Sequence, residues 1–173
     1  MIIITTQCFA PEIGGIESLM TGMADNLSSL GKDVLVLADG KVNSKIDENK
    51  KYSIKRFNGW KPLRRIKKAR YLKKMCNEKN VETIFADSWK SIEYVNKKNK
   101  KILVLAHGTE IPKQHWTLMI DNFRLKKNRI MNSYKDVHKI IANSNYTKDL
   151  MHVSLKIKKK KIIVIHPGID IYR

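Results

Sequence analysis

Five short stretches carry residue types that could do chemistry, and each follows a strand-like apolar run. They are Gly14-Gly15, Asp87-Ser88, His107-Gly108-Thr109-Glu110, Asn143-Ser144-Asn145-Tyr146-Thr147 and His166-Pro167-Gly168-Ile169-Asp170. The glycine pair sits before a helical period. The first turn of a helix leaves backbone N–H groups unpaired and carries the positive end of the helix dipole. Glycine lets a bulky phosphate come close to the backbone, so strand, glycine loop and helix start together make a candidate phosphate site. The same pair serves equally as a tight turn. It is neither Gly-x-Gly-x-x-Gly nor a Walker loop, because no Lys-Ser/Thr follows. His107 comes straight after a strand-like run and can face a ligand, with Gly108 permitting a sharp turn. The alternative is an imidazole bonded to nearby backbone, with Glu110 capping the next segment. Ser144, three residues before Thr147, reads as a helix N-cap. Glu17 falls in a first helical turn, where an acid suits the dipole, and is assigned no catalytic role.

These stretches need strands and helices to hold them, and the spacing of apolar residues supplies both. Residues 1–6, 33–38, 81–86, 101–106, 139–142 and 162–165 are short, continuous apolar runs, typical of strands covered on both faces. Residues 52–57 are more polar and read as an edge strand. Ile16, Leu19, Met20, Met23, Ala24, Leu27 and Leu30 recur on one face of a helix, with Gly31 where a helix-ending glycine belongs. Residues 39–51 read as a loop and residues 89–95 as a short helix. Leu63 to Lys79 reads as a helix, and a further helical pattern runs through Trp116, Met119, Ile120, Phe123, Ile130, Met131 and Tyr134. Another helix opens at residues 143–147. Strands alternating with helices imply βαβ units and a mostly parallel sheet of about seven strands. In such open sheets ligands sit beyond the carboxyl ends of the strands, so the five stretches are expected to share one edge.

The chain has 173 residues, enough for one domain with a sizeable core, and 42% of them are hydrophobic. No apolar run approaches the about 18 residues of a membrane span, and no signal peptide is recognised. Cys8 and Cys76 lack metal-ligand spacing and read as reduced cytosolic thiols. The formal net charge is +19. Such a charge suggests an anionic partner, although the excess is mostly Lys and also fits a compositional habit of the source. It concentrates in the helix over residues 63–79, where Arg64, Arg65, Lys67, Lys68 and Arg70 are candidates for contact with an anionic membrane surface. A solvated helix packing a narrow apolar edge is the plainer alternative, and nucleic acid is the least favoured partner.

Pro11-Glu12-Ile13-Gly14-Gly15-Ile16-Glu17 after a first strand resembles the start of the retaining GT-B glycosyltransferases of family 4, also called group 1. Residues 162–170, ending His166-Pro167-Gly168-Ile169-Asp170, are similar to the strand and turn that close that family's N-terminal domain. His107-Gly108-Thr109-Glu110 is similar to the family's loop after a mid-domain strand. The resemblance implies a Rossmann-like N-terminal GT-B domain over residues 1–173, with the nucleotide-binding C-terminal domain absent. It implies sugar transfer from a nucleotide-diphosphate donor to a glycan or lipid acceptor, with retention and without a metal or other cofactor. His107 is implied to contact the donor sugar's hydroxyls, Gly14 and Gly15 to form the diphosphate and acceptor loop, and Glu110, Ser144, Thr147, Gly168 and Asp170 to line the cleft. His166 stands where the family has a hydrophobic residue, and the family's Asn between Pro and Gly is missing. The implied setting is cytoplasmic, at the inner face of the plasma membrane, with this fragment inactive alone. No paired carboxylates suggest a glycosidase. The other reading is a non-catalytic basic α/β protein that binds anionic membrane or nucleic acid.

Overall fold

The computed structural model describes residues 1–42, 44–97, 99–109, 111 and 120–168. The elements run β1 (Ile2–Thr6), α1 (Gly15–Ser29), β2 (Val34–Asp39), α2 (Ser44–Asp47), β3 (Ser53–Phe57), α3 (Lys61–Glu78), β4 (Thr83–Ala86), β5 (Ile102–Ala106), α4 (Ile120–Lys135), β6 (Lys139–Ala142), α5 (Asn145–Leu155) and β7 (Ile162–Val164). The strands form one 7-stranded sheet in the order β3-β2-β1-β4-β5-β6-β7, and every pairing is parallel. All carboxyl ends therefore point to one edge. The order reverses between β1 and β4, which makes the crevice expected of a doubly wound sheet.

Parallel strands need helical crossovers, and these cover both faces. One face carries Ile84, Ala86, Ile102, Val104, Ile140 and Ile162, buried beneath Leu72 of α3, Ile130 and Tyr134 of α4, and Met151 and Leu155 of α5. The other carries Ile4, Val36 and Ala38 against Met20 and Ala24 of α1. Alternation along β4–β7 places Phe85 and Ile141 on that second face, where they are only partly buried. Ile163 of the edge strand β7 is 43% exposed.

Most elements form where the sequence periods place them. α1 ends in a Schellman motif: Gly31 adopts φ +72, its N–H donates to the Ser28 carbonyl, and Lys32 N–H donates to the Leu27 carbonyl. Four expectations need correction. Leu19 and Leu30 face solvent instead of the apolar face of α1, Leu30 because it is the C-cap residue past the end of the helix. The loop over residues 39–51 contains the short helix α2. The helix expected at 89–95 is a single 3₁₀ turn, Trp89–Ser91. The basic helix presents only part of its charge outward: Lys68 is 1% exposed, and Arg64 and Arg65 turn inward beside it.

Lys68 is buried because a partner waits for it. Its ammonium donates to Asp39 Oδ1 at 2.8 Å and to the Thr6 carbonyl at 2.6 Å, joining the carboxyl ends of β2 and β1. Arg64 lies 3.4 Å from the other Asp39 oxygen. Arg65 reaches Glu93 at 3.0 Å, and Arg129 of α4 reaches the same carboxylate at 2.6 Å, with the two guanidinium groups over the Trp89 ring at 6.0 and 5.7 Å from its centre. That second cluster ties α3 to α4. Removing one member of a buried pair leaves the other uncompensated, so Asp39→Ala is expected to cost about 3 kcal/mol. Lys68→Met is expected to cost less, because Arg64 still neutralises Asp39. Urea unfolding of the two variants checks this order, and equal losses would show that Arg64 does not neutralise Asp39 once Lys68 is gone.

Candidate functional site

β1 delivers the glycine loop, and two buried groups fix where it starts. Lys68 holds the Thr6 carbonyl. Asp87, 2% exposed just past β4, takes the other side of the strand: its Oδ2 accepts from Gln7 N–H at 2.7 Å and lies 3.0 Å from the Thr6 hydroxyl. Its Oδ1 accepts from Ser91 at 2.6 Å. Farther along, Arg56 of β3 donates to the Ala10 carbonyl at 2.5 Å while gripping Asp47 with two further bonds of 2.7 Å each. The loop is thus clamped at residues 6, 7 and 10, with no such side-chain tie at its tip among the described residues, and Ile13 there is fully exposed.

The glycines open that tip unequally. A Cβ built on Gly15 meets nothing within 4 Å, so this backbone is open to a ligand. A Cβ on Gly14 would lie 2.2 Å from Glu17 Oε2. Glu17 folds back over the N-cap of α1, putting its own negative charge at the helix end an anion would seek. Cys8 lies under the same carboxylate. Burial, a hydrogen bond to Glu17 and the nearby Asp87 charge push its thiol up to about 12.

His107 follows β5 and faces Asp87 across the neighbouring strand end. Its Nε2 lies 2.9 Å from the Asp87 carbonyl. A carbonyl only accepts, so Nε2 carries the proton. Gly108 then turns at φ +86 and packs on α5, where a Cβ would stand 2.8 Å from Thr147 Oγ1. The sharp turn expected at this glycine is present for both reasons: the backbone is left-handed and a side chain has no room. Ser144 is the N-cap of α5, accepting from Thr147 N–H at 3.1 Å, as its spacing predicts. Thr147 Oγ1 donates to Asn143 Oδ1 at 2.7 Å, and Asn143 Nδ2 reaches back to the His107 carbonyl at 3.5 Å.

The structure therefore brings His107, Ser144 and Thr147 into one hydrogen-bonded group at the carboxyl edge. Gly14 and Gly15 belong to the same edge, in the loop after β1, which lies two strands from β5. Gly168 lies exposed beyond β7 on the other flank, with nothing within 4 Å of a built Cβ. Glu110 and Asp170 lie outside the described residues. Of the five membrane candidates, Lys67 and Arg70 are exposed, whereas Arg64, Arg65 and Lys68 are committed to buried carboxylates. Their withdrawal is a correction with a plain cause: Asp39 and Glu93 would otherwise be buried without a counter-charge. Sequence reasoning placed Asp87 at the edge without seeing it as the hub. It took Lys68 for a membrane contact, although Lys68 is in helical register with Leu72 and Met75 on the inward face.

Two measurements test this geometry. Gly108→Ala should destabilise the protein by about 1–3 kcal/mol through the φ penalty and the Thr147 clash, while Gly15→Ala should cost under about 1 kcal/mol. Comparable losses in thermal unfolding would contradict the close approach at Gly108. Cys8 should also resist alkylation. At pH 8.5 its thiolate fraction, and so its rate with iodoacetamide, is expected about a thousandfold below that of the same thiol in the unfolded chain. The protection is complete below pH 9 and is lost as pH rises toward about 12, because the raised value is that of the folded state. Rapid modification at pH 8.5 would show that the loop is not closed over the sulfur.

Known proteins with this architecture give the geometry a context. No curated protein sequence matches the chain. A glycosyltransferase from Rickettsia africae superposes with a TM-score of 0.66 at 21% identity, over 98% of this chain and 43% of its own. The lipopolysaccharide outer core galactosyltransferase WaaB gives 0.65 at 17%, over 99% and 47%. HepE from Anabaena, solved with UDP and glucose, gives 0.64 at 15%, over 98% and 45%. These likenesses concern the fold, and the chain spans less than half the length of each. The sequence profile of Glycosyltransferase Family 4 matches residues 13–173, nearly the whole chain. The seven-stranded parallel sheet is the Rossmann-like half of a GT-B fold, and the chain belongs to glycosyltransferase family 4.

Proposed function

We propose that this chain is the acceptor-side domain of a two-domain enzyme that moves a sugar from a nucleotide-diphosphate donor to a glycan or lipid acceptor. The anomeric configuration is retained, and the product belongs to a cell-surface polysaccharide or glycolipid. One observation carries the reading: in a family 4 chain, His107 is fixed at the carboxyl edge by its bond to the Asp87 carbonyl, beside the capped start of α5. The nucleotide and glucose bound to HepE support the donor class. The reading is of a cytoplasmic enzyme at the inner face of the plasma membrane. Among the described residues no helix is long and apolar enough to cross a membrane.

In this reaction the bond from the anomeric carbon to the diphosphate oxygen breaks. A bond to the acceptor oxygen forms on the same face of the sugar, and the acceptor's proton passes to the departing phosphate. The protein contributes placement and charge stabilisation. His107 would hold sugar hydroxyls in position, and the open backbone at Gly15 would admit the diphosphate or the acceptor. Helix N-termini and basic groups, including those of the second domain, would meet the diphosphate charge without a metal ion. The acid at Gly14 belongs to a flexible side chain, so Glu17 can swing away as an anion arrives.

Transfer of labelled sugar from a panel of nucleotide sugars, by the protein with its second domain joined, is the test. His107→Ala is expected to lower kcat/KM by about a hundredfold at a cost of about 1 kcal/mol in stability from the lost bond to the Asp87 carbonyl, and residues 1–173 alone should transfer nothing. Full activity of the variant would remove His107 from the reaction. Transfer by the isolated chain would overturn the two-domain reading.

A further inference from the structure

The outer face of α3 is built unlike its inner face. Inward, Arg64, Arg65 and Lys68 each meet a buried carboxylate. Outward, Lys67, Arg70, Lys73 and Lys74 are exposed, and among the described residues their one ion pair is Lys74 with Glu78 at 3.8 Å. Leu63, Lys67, Arg70 and Lys74 recur at i, i+4, i+7 and i+11, so they form one stripe along the helix. At its N-terminal end Trp60 is 69% exposed and Leu63 is 49% exposed. A large aromatic ring and a leucine side by side in water, continued by exposed cations of which Lys74 alone has an ion pair among the described residues, describe an amphipathic surface that ends in an apolar wedge.

We propose that this stripe docks on an anionic lipid bilayer, with Trp60 and Leu63 entering the headgroup boundary and Lys67, Arg70 and Lys74 lying over acidic headgroups. Tryptophan favours that boundary because its ring is apolar and its N–H is polar. The cations are attracted without needing defined partners, which suits lysine's compact point charge. Single-stranded nucleic acid would ask for a row of stacking rings. Here the other aromatic side chain of the helix, Tyr71, packs edge-on against Phe57 at 5.8 Å. The position has a geometric consequence. Trp60 and Leu63 follow β3 directly, so the wedge lies on the carboxyl edge of the sheet, the edge of the candidate site. Docking there brings the site to the bilayer surface, within reach of an acceptor held on a lipid. The surface stands on α3 alone and does not depend on the transferase reading.

The whole chain is basic, so the test must separate this stripe from total charge. Binding to vesicles of phosphatidylglycerol and phosphatidylcholine, and to phosphatidylcholine alone, is measured by co-sedimentation at physiological salt, with tryptophan emission recorded in parallel. The expected result is binding to the anionic vesicles only, with a blue shift that Trp60→Phe abolishes. Replacing Lys67, Arg70 and Lys74 by Gln should weaken binding about a hundredfold. The same replacement of Lys156, Lys158 and Lys160, exposed before β7 at the opposite edge of the sheet, should change it less than about threefold. Equal losses in the two triple variants, an emission shift that survives Trp60→Phe, or binding to duplex DNA but not to vesicles would each overturn the proposal. Sugar transfer to a soluble acceptor, assayed separately, is expected to be unchanged in the Trp60→Phe variant.

Discussion

A buried ammonium group sets the terms at the working edge of this sheet. Lys68 sits at the carboxyl ends of β1 and β2 with almost no access to water. A charge in that position is tolerated only if it is paired and hydrogen-bonded. Asp39 and the Thr6 carbonyl satisfy it, and Thr6 then passes the constraint on. The Thr6 hydroxyl meets Asp87, the Asp87 carbonyl holds His107, the His107 carbonyl meets Asn143, and Asn143 anchors Thr147. An almost continuous line of polar contacts crosses the sheet from β2 to the first turn of α5. Parallel pairing makes this possible, because it brings every strand's carboxyl end to the same edge.

The division of labour among the cations follows from the same principle. A basic helix laid over a sheet cannot turn every charge outward, since part of its circumference must face the protein. Here the inward cations are the ones with acids to meet, at the end of β2 and after the 3₁₀ turn. The outward ones remain hydrated and available. The net charge of +19 is thus two populations, one structural and one facing solvent. Only the second can attract an anionic surface, and treating the total as a single functional quantity overstates it.

The glycine loop shows how a motif and its use can be separated by one side chain. The strand, the loop and the helix start are all in place, and Gly15 is open. At Gly14 the helix end is already faced by Glu17, three residues on, which is the position from which a side chain reaches back to the N-cap. The loop is clamped at its root and exposed at its tip. That combination suits a segment that must keep its place while admitting a ligand.

Much of this was legible in the residues themselves. Continuous apolar runs of four to six residues fit strands covered on both faces, and their alternation with helical periods then implied the parallel α/β sheet. Ser144 announced its cap, and Gly31 its helix end, because both roles depend on neighbours within four residues. The strand ends likewise marked which stretches would gather at one edge. The sequence could not say that Lys68 points inward to Asp39, twenty-nine positions away, or that one aspartate at position 87 would collect bonds from residues 6, 7 and 91. Nor could it say that Glu17 would cover Gly14 while leaving Gly15 open. Local periods determine which elements form and where they stop. Which polar side chains meet is decided only when distant elements pack, because the energy of a buried charge depends on what the tertiary structure places beside it.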